Sequence, residues 1–110
     1  MTLNEYQKLA ARTINPRLVK NQMEDHALKG MGSELGEING IYQKVYQDHP
    51  MDYGHVKKEL GDLMWFVAEY CTSQGWNMDD VAQLNIDKLR ARFPEGFEAD
   101  KSLHRAAGDI

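Results

Sequence analysis

An all-α fold, an antiparallel helical bundle, follows from three observations on the 110-residue chain. Apolar residues recur at three- and four-residue spacing in four stretches, the period of a helix with one buried face. No stretch shows the sustained polar/apolar alternation, bounded by turn residues, that marks a half-buried strand. The breaks between the stretches are short and rich in Asn, Asp, Pro and Gly, and short connections place successive helices antiparallel.

The first helix is expected over residues 3–14. Thr2, with Glu5 three residues later, reads as a capping box. Asn15-Pro16 ends the helix, because the residue before a proline avoids the α region. Residues 16–22 read as a connection. The second helix spans about residues 24–47 and stops at Asp48-His49-Pro50. The third starts at residue 52 or 54 and runs to 74, with Gly75 as the left-handed residue after its end. The fourth follows Asn77, a good N-cap type, and has Asp79 and Asp80 at the positive end of its dipole. It ends near Phe93, before Pro94. Periodicity is weak from there on. One domain is expected over residues 1–97, and residues 98–110 form a tail that packs on a neighbour or frays.

The composition, 42% hydrophobic and 27% charged, is that of a globular chain able to bury a core without staples. The net charge of -4, with 17 acids against 13 bases, argues against a general nucleic-acid binder. It leaves a nucleotide substrate open, since a bound metal inverts the local sign. Cys71 is the one cysteine. It cannot form an intramolecular disulfide, it reads as a small core residue, and a cytoplasmic setting is expected. No apolar run approaches the ~20 residues of a membrane span, and residues 1–10 do not read as a signal peptide.

The second and third helices carry nearly the same turn. Ser33-Glu34-Leu35-Gly36-Glu37 matches Lys58-Glu59-Leu60-Gly61-Asp62. Spacing of i, i+3 puts both acids of each pair on one side of the helix. At about 100° per residue, Leu28, Met31, Leu35, Ile38, Tyr42 and Val45 form an apolar stripe with Glu34 inside it and Glu37 at its edge. On the third helix, Val56, Leu60, Leu63, Val67 and Tyr70 frame Glu59 and Asp62 in the same way. Carboxylates on a core-facing stripe are costly unless paired or bound to metal, and four that converge call for a hard cation. A single Glu-x-x-Glu is ordinarily a solvated pair; two matched pairs, each with a glycine, point to a site. Oxygen-only ligands select Mg²⁺, Mn²⁺ or Ca²⁺ over zinc. His26, His49, His55 and His104 show no zinc-ligand spacing and read as surface or capping residues. Gly36 and Gly61, each costing about 1 kcal/mol against alanine in a helix, suggest close helix packing beside the acids.

The fourth helix brings the opposite sign. Asn85, Lys88 and Arg92, spaced i, i+3, i+7, share a face with Val81 and Leu89. Lys as a point charge and Arg as a fork suit phosphate oxygens, so an interior-facing cationic row is expected beside the acids.

Together these residues carry a family resemblance over about residues 3–97. Glu34-x-x-Glu37, Glu59-x-x-Asp62 and Asn85-Ile-Asp-Lys88-Leu-Arg-Ala-Arg92-Phe93-Pro94 resemble, in that order, the MazG-type nucleoside triphosphate pyrophosphohydrolases. The resemblance implies a bundle of MazG type that assembles as a homodimer or homotetramer. It also implies cleavage of a nucleoside triphosphate, ribo or deoxyribo, into monophosphate and pyrophosphate. It places Mg²⁺ (or Mn²⁺) on Glu34, Glu37, Glu59 and Asp62, and phosphates on Lys88 and Arg92, with Asn85 beside them. Some members have a lysine where this chain has His55, and some relatives a tyrosine where it has Phe66. Glu34 or Glu37 is the expected acceptor of the proton of the attacking water. Trp65, Phe66 and Tyr42 are candidates to stack on the base, and Trp65, opposite the apolar stripe, is equally suited to a subunit interface. Neither nucleic acid nor membrane is an expected partner. Two rivals are a phosphoribosyl-ATP pyrophosphohydrolase, which shares the acid pattern, and a non-catalytic dimerisation or antitoxin-like module.

Overall fold

The computed structural model describes residues 1–110 and contains five helices and no strand: α1 (Leu3–Ala11), α2 (Lys20–Val45), α3 (Tyr53–Gln74), α4 (Met78–Arg92) and α5 (Ala99–Leu103). No helix is long and apolar enough to cross a membrane.

Local chemistry sets the helix ends. Thr2 accepts from the Glu5 amide at 3.0 Å and starts α1. That helix stops at Ala11, three residues short of the periodicity, because the Thr13 hydroxyl donates to the Ala10 carbonyl at 2.9 Å, a local bond that competes with helix continuation. The next helix starts at Lys20, four residues earlier than its apolar pattern. There the Gln22 side chain accepts from the Val19 amide at 3.1 Å, half of a capping box that does not need a Ser or Thr before it. Asp52 caps α3 through the His55 amide at 3.0 Å, and Gly75 (φ 72°) ends it in the left-handed conformation.

The start of α4 is capped from another helix. Asn77 occupies the N-cap position, but its side chain caps no amide. Instead Gln7 Oε1 accepts from the Met78 amide (2.8 Å) and Asn4 Oδ1 from the Asp79 amide (3.0 Å). Asp79 returns the contact by accepting from the Asn4 amide, and Gln7 Nε2 donates to the Trp76 carbonyl at 2.8 Å. This exchange docks α1 across the α3–α4 corner. Beneath it lies a small core of Ala10, Ala68, Cys71 and Met78, with Leu3, Tyr6, Trp65 and Val67 packed around it. Cys71 is the core residue that its surroundings suggest, and burial pushes its thiol up.

The main packing is α2 against α3, antiparallel. His26 meets Glu69, Gly30 meets Phe66, and Glu34 meets Glu59 and Asp62. The residues on this seam differ from the expected stripe by about one position, or ~100° of helix. Ala27 is fully buried and Ile41 8% exposed, whereas Leu28 and Leu35 are 56% and 53% exposed and Tyr42 and Leu60 are half-exposed as well. The buried edge of α2 is therefore Ala27, Gly30, Glu34 and Ile41, and the leucines look sideways. The reason is size: small residues let the α2 and α3 backbones approach, and Phe66 fills the space over Gly30. A Cβ on Gly30 would lie 2.2 Å from the Phe66 ring.

Only eight residues are buried, and the radius of gyration is 17.3 Å, against ~13 Å for a compact domain of this length. The protomer is open. Beyond Met78, α4 runs free of any extensive contact with α2 or α3 and packs mainly on α1.

Gly30→Ala tests the seam. We expect destabilisation of about 1–3 kcal/mol from overpacking, read from urea unfolding. Combined with Phe66→Leu, part of that loss should be recovered; an additive double variant would show that the two residues do not meet.

Candidate active site

Three of the four expected acids converge. Carboxylate oxygens of Glu34, Glu59 and Asp62 lie within 4.8 Å of one another. Glu34 comes from the middle of α2, and the other two come from facing turns of α3. Glu59 is buried, Glu34 half-buried and Asp62 exposed, so the cluster opens to solvent on one side. Glu37 is exposed one turn along α2 and outside the three-oxygen group. It still feels Glu59, which is the main cause of its raised pKa.

The electrostatics of the cluster are unbalanced. Glu34 Oε2 and Glu59 Oε2 are both buried, and neither has a hydrogen-bond donor. Two acceptors cannot satisfy each other. A shared proton is one remedy: hydrogen bonding with Glu59, followed by burial and the charges of Glu59, Glu37 and Asp62, pushes Glu34 up to about 7. Glu59 moves the other way, held down first by Glu34 and then by Glu37 and His55, against its own burial. A divalent cation is the other remedy. Oxygens around an octahedral Mg²⁺ at about 2.1 Å are roughly 3 to 4.2 Å apart, close to the spread here, so the residues present fit such an ion. The all-oxygen set also suits it better than zinc.

His55 Nε2 stands 3.1 Å from Glu59 Oε1. It is thus a partner of a site acid, where spacing alone suggested a surface or capping residue, though the i, i+4 relation to Glu59 carried the signal. His26 is also more than a surface residue. Its Nδ1 lies 2.8 and 2.9 Å from the two oxygens of Glu69, the one large side chain that is fully buried. Glu69 continues the face of Glu59 and Asp62 along α3, at i+10 and i+7. Its partner is 43 positions away, so no local spacing could reveal the pair. His104, likewise paired, meets Asp100 at 3.0 Å.

The glycines in the acid turns do not serve close packing within the chain. A Cβ on Gly36 or Gly61 would meet nothing within 4 Å, and the tight glycine is Gly30, one turn before Glu34. The aromatic candidates divide. Trp65 donates from Nε1 to Thr13 Oγ1 at 2.8 Å and packs beside the small core under α1. Phe66 lies in the seam over Gly30, edge-on to Trp65 and His26. Tyr42 alone keeps half its surface open.

The cationic row is not interior within one chain. Asn85 and Lys88 are exposed, and Val81 beside them is 38% exposed. Arg92 is turned to Asp109, with Nε–Oδ2 and Nη2–Oδ1 both 2.8 Å. The structure thus brings the acids of α2 and α3 together and holds Asn85, Lys88 and Arg92 apart on α4. The physical reason is the docking of α4 on α1 through Asn4 and Gln7, which directs the rest of the helix away from the seam.

The chain is similar to the Gene 37 protein of Mycobacterium phage L5, 31% identical over 72 residues, which are 61% of this chain and 63% of that protein. The chain therefore spans less than two thirds of that relative's length. No solved structure matches it. A model of the MazG nucleotide pyrophosphohydrolase domain matches residues 20–97. That span holds both acid turns, the seam that joins them and all of α4, and on it the chain belongs to the MazG nucleotide pyrophosphohydrolase domain family.

Proposed function

We propose that this chain hydrolyses nucleoside triphosphates, ribo or deoxyribo, to the monophosphate and pyrophosphate at the acid cluster between α2 and α3. The observation that carries this reading is the pair of buried, donorless oxygens, Glu34 Oε2 and Glu59 Oε2, in contact range of Asp62. Leaving such groups unsatisfied costs about 1–3 kcal/mol each, more when charged, and a site that binds a cation offsets that cost. Glu34, Glu59 and Asp62 would hold Mg²⁺ or Mn²⁺, with Glu37 at their edge. When bound, the ion supplies positive charge to the phosphate oxygens and to the departing pyrophosphate.

The chain's own groups account for the rest. Glu37, exposed and with a raised pKa, is the acid we assign to accept the proton of the attacking water as its oxygen bonds to phosphorus and the bridge between the α and β phosphates breaks; a carboxylate of higher pKa is the better base. Glu34 is the other acid suited to that role. His55 holds Glu59 in place. Lys88 and Arg92 take phosphate charge, with Asn85 as a neighbouring donor, and Tyr42 offers an open ring for the base.

Within one chain those cations do not meet the acids, and Leu28, Leu35, Tyr42 and Leu60 are left half-exposed beside them. A homodimer or homotetramer covers that face. We expect light scattering to give at least twice the 12.6 kDa chain mass at micromolar concentration; a strictly monomeric protein would contradict the assembly.

The activity itself is tested with Mg²⁺ and a panel of NTPs, dNTPs and phosphoribosyl-ATP, following pyrophosphate. Turnover of a nucleoside triphosphate is expected, and Glu59→Gln should lower it by at least about a hundredfold with helical circular dichroism unchanged. Turnover of phosphoribosyl-ATP alone would move the substrate class. Metal-raised stability without pyrophosphate release would favour a non-catalytic module.

The cluster also predicts a pH signature. Glu34 is raised from 4.5 to about 7, so the folded chain keeps a proton that the unfolded chain releases. The stability this contributes is full below pH 4.5 and lost as pH rises through about 7, because the native state binds more protons over that window. The metal-free protein should melt at lower temperature at about pH 8 than at about pH 5. Mg²⁺ should raise the melting temperature more at the higher pH, where its ligands are ionised. An equal Mg²⁺ increment at both would count against the site.

A further inference from the structure

Beyond the acid cluster, the strongest charge feature is a cleft of about 520 Å³ between α4 and the segment that follows it. Lys88, Arg92, Lys101, His104 and Arg105 line it, and Asp109 is the one acid on its wall. His104 is turned to Asp100, and Lys88, Lys101 and Arg105 make no ion pair. Four fixed cations therefore face one carboxylate, a local surplus of three positive charges on a chain of net charge -4.

The carboxylate is held as an anionic ligand would be. Its two oxygens take the two arms of the Arg92 fork at 2.8 Å, and the two side chains are only 10% and 14% exposed. Arg92 foremost, with Arg105 and Lys88 behind it, holds the Asp109 carboxyl below its usual range. Gly108, at φ 83°, reverses the chain, and the Asp109 amide closes the turn on the Ala106 carbonyl at 3.1 Å. That turn points Asp109 back at α4. An arginine fork receives two oxygens of a phosphate with the same geometry as a carboxylate, but a polyphosphate brings several charges where Asp109 brings one.

We propose that this cleft is a polyphosphate site whose resting occupant is the chain's own Asp109, so that the segment after α4 competes with phosphate for Arg92. The inference rests on the phosphate role given above to Lys88 and Arg92. It adds Lys101 and Arg105 to the anion-binding groups, and it makes the segment a built-in competitor. A site open only one tenth of the time binds about tenfold more weakly than its intrinsic affinity.

The test is calorimetric titration of the full chain with inorganic pyrophosphate, without divalent metal, at low salt. Asp109→Asn should bind about tenfold tighter than the unmodified chain, and Asp109→Glu, which keeps the carboxylate, should not. Asp25→Asn, on α2 outside the cleft lining, makes the same change in net charge away from Arg92 and should alter affinity by less than about twofold. Adding Arg92→Gln to Asp109→Asn should abolish the gain. No gain in a folded Asp109→Asn variant, or an equal gain in Asp25→Asn, overturns the proposal. A parallel titration with a non-hydrolysable nucleoside triphosphate separates free pyrophosphate from nucleotide phosphates: a gain with either carries the proposal, and a gain with neither overturns it. These titrations contain no divalent metal, so they read the cleft and not metal binding at the acid cluster. Absence of triphosphate turnover with the Asp109→Asn gain intact would therefore remove the function proposed above and leave this site standing. Turnover without that gain would do the reverse.

Discussion

Two carboxylate oxygens, Glu34 Oε2 and Glu59 Oε2, are buried at the α2–α3 seam, and neither has a hydrogen-bond donor. Burying like charges this way is unfavourable, and little in a chain with eight buried residues has the packing to compensate for it casually. The seam tolerates them because the rest of it is close-fitting. Ala27 and Gly30 allow the helices to approach, Phe66 fills the opening over Gly30, and at the far end His26 meets the fully buried Glu69. The acids are thus held at a fixed spacing by small and aromatic residues rather than by one another. A rigid array of ligand oxygens with too much negative charge is what a hard cation requires of a protein.

The single chain is open in shape. Its radius of gyration is well above that of a compact domain, and the leucines beside the acids remain half-exposed. α4 is carried outward by its docking on α1, so the cations expected beside the acids are displayed at a distance from them and engaged with the chain's own Asp109. The acids gather in the α2–α3 seam, and the cations stand on α4, which packs mainly on α1. Oxygens of three acids gather within 4.8 Å of one another in the seam, and the Arg92 fork holds the Asp109 carboxylate.

Much of this was legible in the residues. The four main helices show in the apolar period, and the acid turns show in their repeated pattern, because both depend on neighbours three and four positions apart. The short-range pairing of Glu59 with Asp62 was also readable, whereas His55, one turn before Glu59 on α3, read as a surface or capping residue and is its partner. Boundaries set by side-chain competition were less so. Thr13 ends α1 early, and Gln22 starts α2 early, each through a single bond to the backbone. The brief α5 was hidden by weak periodicity, since five residues hold little more than one helical turn.

The sequence by itself determined the helices, the acid pairs and the chemistry they favour, for these are local properties of residue type and spacing. Only the tertiary structure decided which face of each helix is buried. A shift of one residue, about 100° of rotation, moved the seam from the leucines to Ala27, Gly30 and Ile41, with Glu34 kept in it as its place in the stripe suggested. It also decided that the tight glycine is Gly30 rather than Gly36 or Gly61, that Glu69 is buried against His26, and that Arg92 is bound by Asp109. Each of those outcomes depends on a partner far along the chain, and the identity of such a partner is set by how whole helices pack.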